Sequence, residues 1–233
     1  MSGCIQVSCF ITEAHCSFVP PKVISFRALR LCNANPAISF NWVRLPGFSC
    51  VYHNDCQTFY DMTRLVIQKG RKRLGYIGAL SRDEAVGRER KRACRDAVRQ
   101  AGPEEQAEHT AAAAFSMDSG REKARELLEA YGPLDALIRA TDNMAAGALQ
   151  YPHGQGITVP KRMLLTGHGA SGISEVTTHP ITTIRFFYEE GGVSAANLML
   201  ELLEKTDTPA KEIKPGYTIL ENESTNTLSQ TVP

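Results

Sequence analysis

The chain has 233 residues, of which 42% are hydrophobic and 22% charged, and its formal net charge at pH 7 is +1. This composition is typical of a globular protein. Because the net charge is so small, the molecule as a whole lacks the positive electrostatic potential that attracts nucleic acids. No apolar run approaches the roughly 20 residues that span a bilayer, so we expect no membrane segment. No basic residue precedes Lys22, which argues against a secretory signal and favours a cytoplasmic protein.

The cysteine spacing argues against a metal site. The chain has seven cysteines, and six of them precede position 57 without forming a Cys-x-x-Cys pair. Structural zinc sites commonly use closely spaced pairs of this kind. We therefore expect no bound metal, no cofactor and no disulfides, because reduced thiols are the ordinary state of cysteine in the cytoplasm.

In chain order, residues 1–45 have the least regular pattern. Short apolar runs predict strands at 4–11 and 23–26, and Pro20-Pro21 ends any helix between them. From residue 46 onward, strands and helices alternate. The predicted strands are 48–52, 74–80, 111–115, 134–140, 163–166, 181–186 and 213–220, and the predicted helices are 58–69, 85–100, 117–131, 143–150 and 189–205. This alternation is typical of an α/β fold with parallel sheets.

The helix predicted at 85–100 has one charged residue on its apolar face. The apolar stripe consists of Val86, Cys94, Ala97 and Ala101, and Arg90 lies in the middle of it. A guanidinium on such a face has to reach solvent, meet a carboxylate or face a polar ligand, because an isolated buried charge is costly. The helix also follows the carboxyl end of a predicted strand, where open α/β sheets bind ligands.

Four segments carry a family resemblance. They are Lys69-Gly-Arg-Lys-Arg-Leu-Gly-Tyr-Ile-Gly78, Ala140-Thr-Asp-Asn-Met-Ala-Ala-Gly-Ala-Leu149, Val159-Pro160 and Pro180-Ile-Thr-Thr-Ile-Arg185. Their order and spacing resemble those of the LacI/GalR family of bacterial transcription regulators, with the sugar-repressor branch nearest. The resemblance covers about 45–225.

The resemblance implies a type I periplasmic-binding-protein-like α/β fold, with two parallel-sheet lobes and a ligand cleft between them. Chains of this family cross between the lobes three times. The resemblance assigns 1–72 and 186–205 to the N-terminal lobe, 73–185 and 206–225 to the C-terminal lobe, and 226–233 to a tail. No helix-turn-helix is recognisable before residue 65, so we expect an effector-binding domain without its DNA-binding headpiece. The N-terminal lobe is expected to be incomplete and atypical over 1–45.

The resemblance also implies ligand-binding residues. The effector arginine of the family falls on Arg90; the alternative is an ion pair within the helix, for which the adjacent Glu89 is poorly placed. Thr141 and Asp142 match an Asn-Asp pair of the family, and Asp142 either caps the following helix or binds a sugar hydroxyl. Tyr188 matches an aromatic residue that stacks on ligands in relatives, with core packing as the alternative.

Two further candidates lie earlier in the chain. Asn54 and Asp55 follow a predicted strand and are candidates for the ligand cleft, with a plain turn as the alternative.

Gly169 and Ala170 stand where many relatives carry acidic ligand-binding residues. We therefore expect that contact to be lost or to be made by the backbone.

Two other chemistries fit the sequence poorly. Ser171 lies in a glycine-rich loop but lacks the Gly-x-Ser-x-Gly spacing of a nucleophile elbow, which argues against a hydrolase. Of the eleven basic residues between Lys69 and Arg99, Arg88, Arg92, Arg95 and Arg99 form a solvated helix face, and aromatic residues for base stacking are scarce. We therefore expect neither catalysis nor direct DNA binding by this chain alone.

The sequence thus predicts the ligand-sensing domain of a LacI-type regulator or repressor that controls sugar-utilisation genes. The expected effector is a sugar or a sugar phosphate, the expected assembly is a homodimer, and operator DNA is a partner only if a headpiece is present. Ligand-linked closure of the lobes would shift the dimer between two states. The alternatives are a stand-alone solute-binding protein and a truncated, non-functional regulator fragment.

Overall fold

The computed structural model describes residues 38–41, 48–80, 84–102, 109–204 and 209–226. The strands predicted at 4–11 and 23–26 lie outside these ranges. The chain divides into two compact units, with divisions after His53, Phe186 and Gly216. It therefore passes between the units three times, and each unit is discontinuous in sequence. Among the described residues, no helix is long and apolar enough to cross a lipid bilayer.

The described elements alternate along the chain. In order they are β1 (Ile38–Asn41), β2 (Ser49–Tyr52), α1 (Asp55–Gln68), β3 (Leu74–Gly78), a π-helical turn (Glu84–Glu89), α2 (Arg90–Ala101), β4 (His109–Ala112), α3 (Met117–Tyr131), β5 (Ala136–Arg139), α4 (Asp142–Gly154), β6 (Leu164–Thr166), a 3-10 turn (Gly172–Ser174), β7 (Thr183–Phe186), α5 (Tyr188–Glu204), β8 (Glu212–Ile213) and β9 (Tyr217–Leu220). The predicted α/β fold with parallel sheets is confirmed.

In the described part of the smaller unit, one parallel sheet packs with one helix. Its strand order is β1-β2-β8, and both strand pairs are parallel. Helix α5 packs against β1 and β2. The hydroxyl of Tyr52 donates to the Glu212 carboxylate at 3.3 Å, and this contact ties β2 to β8 across the sheet.

The larger unit holds a parallel sheet with the strand order β4-β3-β5-β6. A parallel bridge between Thr166 and Thr182 extends the sheet to β7, which pairs with β9 in antiparallel fashion. Strands β3, β5 and β6 are buried along their whole length, as expected for parallel strands covered by helices on both faces. Burial on both faces of the sheet explains why these strands appear in the sequence as continuous apolar runs.

Helices α3 and α4 cross unusually closely because glycines stand at the contact. A Cβ atom added to Gly147 would lie 1.8 Å from the carbonyl oxygen of Met117, and one added to Gly120 would lie 2.3 Å from that of Met144. Both neighbours are backbone atoms of the opposite helix, so only glycine permits this approach. The crossing holds α4, and with it the residues at its amino end, against the sheet.

Three differences between the predicted and the observed elements have a clear physical reason. The strand predicted at 213–220 is wrong as a single element, because Lys214-Pro215-Gly216 separates β8 from β9 and a proline has no N–H for a strand ladder. Helix α4 continues through Pro152 to Gly154 instead of ending before it; so near the end of the helix, the missing N–H interrupts little. Helix α1 begins at Asp55 rather than at Thr58, because the side chain of Asn54 caps it by accepting from the Gln57 amide.

Candidate functional site

Arg90 and Asp55 form a buried ion pair in the larger unit. Each is the first residue of its helix, Asp55 of α1 and Arg90 of α2. Nε and Nη2 of Arg90 lie 2.8 Å and 2.7 Å from the same oxygen, Oδ1 of Asp55, and Nη1 donates to the carbonyl of Ala140. The two side chains belong to residues that are only 3% and 5% exposed. Of the three outcomes that the sequence allowed for Arg90, the structure shows the contact with a carboxylate.

The carboxylate partner comes from another helix. Asp55 lies 35 positions before Arg90 in the chain, and the pairing is made where α1 and α2 begin side by side. The neighbouring Glu89 pairs with Arg92 at 2.5 Å, on the more exposed side of α2. The expectation that Glu89 is poorly placed to pair with Arg90 is therefore confirmed.

His168 extends the buried polar cluster at the end of β6. Its Nε2 lies 3.1 Å from the Thr58 hydroxyl and 3.8 Å from Oδ1 of Asp55. The Thr58 hydroxyl donates its single hydrogen to the Asp55 carbonyl at 2.9 Å, so it accepts from His168. The hydrogen-bond network thus assigns a hydrogen to Nε2.

Phe59 lines the apolar side of the same cluster. Its ring stacks on the His168 ring with centroids 4.8 Å apart, and the Arg90 guanidinium carbon lies 5.4 Å from its centroid. A cation over an aromatic face is attracted by the ring quadrupole, and more strongly when water is excluded. Phe59 therefore helps to hold both polar groups in fixed orientations.

Asp142 fastens the loop that follows β6. Its Oδ2 accepts from the amide and hydroxyl of Ser171 at 2.7 Å and 3.0 Å, and its Oδ1 accepts from the Thr183 hydroxyl at 2.6 Å. Burial raises the pKa of this carboxyl group above its ordinary value, and the hydrogen bonds act in the opposite direction. The helix cap is supplied by Thr141, whose hydroxyl accepts from the Met144 amide.

The ion pair and the Asp142 contacts belong to one continuous network. The Asp142 amide donates to the His168 carbonyl at 3.2 Å, and Arg90 donates to Ala140, two residues before Asp142. We call this network the strand-end cluster, because it lies where β5 and β6 end. It consists of Asp55, Thr58, Phe59, Arg90, Asp142, His168, Ser171 and Thr183. The carboxyl ends of parallel strands are the usual position of ligand sites in open α/β sheets.

The structure brings five of the six predicted site residues to this region. Asp55, Arg90 and Asp142 are in the network, while Asn54 and Thr141 cap the helices that begin there. The sixth, Tyr188, belongs to the smaller unit and is 47% exposed. Its ring meets the edge of the His53 ring at 5.0 Å, and burial lowers the pKa of His53 to about 4.

Sequence reasoning missed five members of the cluster: Thr58, Phe59, His168, Ser171 and Thr183. One available signal was the position of His168, two residues after a predicted buried strand, where polar side chains commonly serve a ligand. Ser171 was considered only as a nucleophile. Its hydroxyl is held by the Asp142 carboxylate, which gives it a positioning role in the loop.

A cavity of about 470 Å³ lies elsewhere in the larger unit, beside the loop that leads into β6. It is lined by Leu149, His153, Gly156, Ile157, Thr158, Val159, Pro160, Lys161, His179, Glu223 and Asn226. None of these residues belongs to the strand-end cluster. The cluster, which combines buried charges with the strand ends, is the stronger candidate for a functional site.

Comparisons with known proteins agree with this architecture. Residues 63–225 match the family described as periplasmic binding protein-like domain. The HTH-type transcriptional regulator CelR of Thermobifida fusca is 30% identical over 139 residues, which cover 60% of this chain and 41% of that protein. The chain spans about half the length of the curated relatives it matches, between 37% and 50% of each.

Solved structures show the same fold. A LacI family transcriptional regulator from Silicibacter pomeroyi superposes with a TM-score of 0.75 at 22% identity, over 87% of this chain and 75% of that one. A complex of the transcriptional regulator CelR with cellobiose superposes with a TM-score of 0.71 at 23% identity, over 82% of this chain and 59% of that one. The chain therefore belongs to the family of periplasmic binding protein-like domains.

Proposed function

We propose that this chain senses a sugar for a LacI-type repressor of sugar-utilisation genes, and that the sugar binds at the strand-end cluster. One observation carries the proposal: Arg90 and Asp55 form a buried, hydrogen-bonded pair at the carboxyl ends of the strands. Such a pair presents a donor and an acceptor side by side, which suits the hydroxyls of a sugar. The cellobiose bound to the structural relative CelR supports the same ligand class.

The remaining predicted residues have defined places in this proposal. Asn54, Thr141 and Asp142 lie beside the pair, and their backbone positions are fixed by the beginnings of α1 and α4. Tyr188, with an exposed ring at the start of α5, is proposed as a stacking residue from the smaller unit. The interlobe position of the ligand, which the family resemblance implies, stays a prediction.

The regulatory mechanism is proposed from the family. Ligand binding would close the two lobes and shift a homodimer between two states. The size of this population shift would be limited by the difference between the ligand affinities of the two states. Operator DNA would be bound by a headpiece, and the protein would act in the cytoplasm. The chain is proposed to have no catalytic activity, since the curated relatives it matches are named as transcription regulators.

A pair of matched variants tests the site. Arg90→Lys keeps a cation beside Asp55 but loses the planar fork that donates to two acceptors at once. We expect the affinity for the sugar that binds best among cellobiose, sucrose and maltose to fall roughly tenfold to a hundredfold, in line with the loss of a charge-assisted hydrogen bond. Isothermal titration calorimetry of the full chain measures this change.

Arg99→Lys is the control, because Arg99 is exposed near the end of the same helix. Its affinity should equal that of the parent. If Arg90→Lys binds the sugar as tightly as the parent, the sugar binds elsewhere. If no sugar gives a heat signal, the proposed ligand class is contradicted.

A further inference from the structure

The positive charge of Arg90 is already compensated within the protein. Two nitrogens of its guanidinium contact one carboxylate oxygen of Asp55, at 2.8 Å and 2.7 Å, and the third donates to the Ala140 carbonyl. All three nitrogens of the guanidinium are therefore engaged by the chain itself. Because the pair is almost fully buried, water screens this interaction little.

Within the strand-end cluster, the charges of Arg90 and Asp55 offset each other. The ionisable members of the cluster are Asp55, Arg90, Asp142 and His168, and Arg90 is the one lysine or arginine among them. Asp142 adds no positive charge to this pair in either of its protonation states. The Arg90–Asp55 pair therefore has no net positive charge to offer to a phosphate group.

An anionic ligand would have to compete with Asp55 for Arg90. A phosphate ester placed on the guanidinium would displace the carboxylate and separate a buried ion pair, which is strongly unfavourable. An uncharged hydroxyl faces no such competition. It donates one hydrogen to a carboxylate oxygen and accepts one from a guanidinium nitrogen, so the ion pair stays intact.

We propose that this site selects uncharged sugars over their phosphate esters, and that Asp55 is the residue that sets this selectivity. The inference rests on the proposed sugar-binding function and narrows its ligand class from sugars and sugar phosphates to neutral sugars. Asp55 acts as an internal counter-ion that occupies the place of a ligand's negative charge. Arg90 then serves as a neutralised hydrogen-bond donor.

The test compares matched ligands on the full parental chain. Calorimetric titrations use cellobiose and cellobiose 6-phosphate, sucrose and sucrose 6-phosphate, and inorganic phosphate, all at one pH and salt concentration. We expect at least one neutral sugar to bind at least ten times more tightly than its phosphate ester, and inorganic phosphate not to bind. A phosphate ester that binds more tightly than its parent sugar overturns this inference and leaves the sugar-sensing function standing. The absence of binding by every sugar and ester contradicts the proposed function itself, and this inference with it.

Two aspartate variants assign the selectivity to its residue. Asp55→Asn removes the counter-ion while keeping the size of the side chain, so the affinity for the phosphate ester should rise at least tenfold relative to the neutral sugar. Asp118→Asn, at a side chain that is 92% exposed on α3, removes the same charge from the surface and should leave the ratio unchanged. A ratio that does not move in a folded Asp55→Asn variant assigns the selectivity to another residue and overturns the role of Asp55. If Asp55→Asn does not fold, the parental ratio alone decides the selectivity, and Asp55→Glu, which keeps the charge and should keep the ratio, tests the role of Asp55.

Discussion

Arg90 and Arg139 are both buried arginines, but their surroundings differ. Arg90 is neutralised by Asp55, whereas Arg139, which is fully buried on β5, donates from Nη1 to the Leu137 carbonyl. Among the described residues, Nε and Nη2 of Arg139 have no hydrogen-bond partner. Burial lowers the pKa of Arg139 well below its ordinary value, because the charged form is poorly solvated there.

Because Arg139 is buried, we expect the protein to be more stable with a hydrophobic residue at this position. Arg139→Leu should raise the free energy of unfolding by about 1 to 4 kcal/mol, because it removes an uncompensated buried charge. Urea denaturation with an unchanged m-value measures the difference. Arg125→Leu is the control, since Arg125 forms a half-exposed helical pair with Glu129 that contributes about 0.5 kcal/mol or less. A loss of stability in Arg139→Leu would show that the guanidinium is held by favourable contacts.

His53 predicts a pH dependence of stability. Burial lowers its pKa in the folded state to about 4, below the ordinary value of 6.5, so the unfolded chain binds the proton more readily. The stabilisation from neutral His53 is therefore complete above about pH 6.5 and is lost as the pH falls towards 4. We expect a loss of up to about 2 kcal/mol after allowance for solvent screening.

Urea midpoints at pH 7.5, 5.5 and 4.5 measure this dependence. His53→Gln should flatten the curve between pH 6.5 and 4, whereas His153→Gln, at an exposed position in α4, should leave its slope unchanged. An identical slope in His53→Gln and the parent would assign the acid sensitivity to other groups.

At the scale of elements, the close crossing of α3 and α4 depends on glycine. Gly147→Ala would place a methyl group 1.8 Å from the Met117 carbonyl oxygen and force the two helix backbones apart. We expect a loss of about 1 to 3 kcal/mol or more, as for other overpacked cores. Thermal denaturation checks this loss.

Gly192→Ala in α5 is the control, because an added Cβ there meets no atom within 4 Å. Its free energy of unfolding should instead rise by up to about 1 kcal/mol, since alanine has the higher helix propensity. Equal stability of the two variants would contradict the close crossing.

Much of the element order could be predicted from the sequence, because buried parallel strands have continuous apolar runs and helices have capping residues. Ser116, for example, caps α3 as expected by accepting from the Ser119 amide. Other features depend on contacts that spacing does not show. The position of Arg90 on an apolar face was visible, but its partner Asp55 comes from the start of another helix. The break between β8 and β9 was missed because β-branched and aromatic residues flank Pro215 and Gly216 on both sides.

At the scale of the whole molecule, the three crossings between the compact units follow the pattern that the family resemblance implies. Helix α1 belongs to the larger unit, whereas the family resemblance assigns residues 1–72 to the N-terminal lobe. The lobe boundaries at 72, 186 and 205 stay predictions. With α1 in the larger unit, Asp55 and Arg90 belong to the same body.

The central claim is that a sugar binds at the strand-end cluster, and a nuclear magnetic resonance titration of the ¹⁵N-labelled full chain tests it most directly. Cellobiose, sucrose and maltose are added in turn, and the backbone amides and the Arg90 Nε–H signal are followed. The account predicts that at least one sugar shifts the Arg90 Nε–H signal together with the amides of Gly169 and Ser171. Shifts confined to the residues around the 470 Å³ cavity, such as Gly156 and Lys161, or no shifts with any of the three sugars, would contradict it.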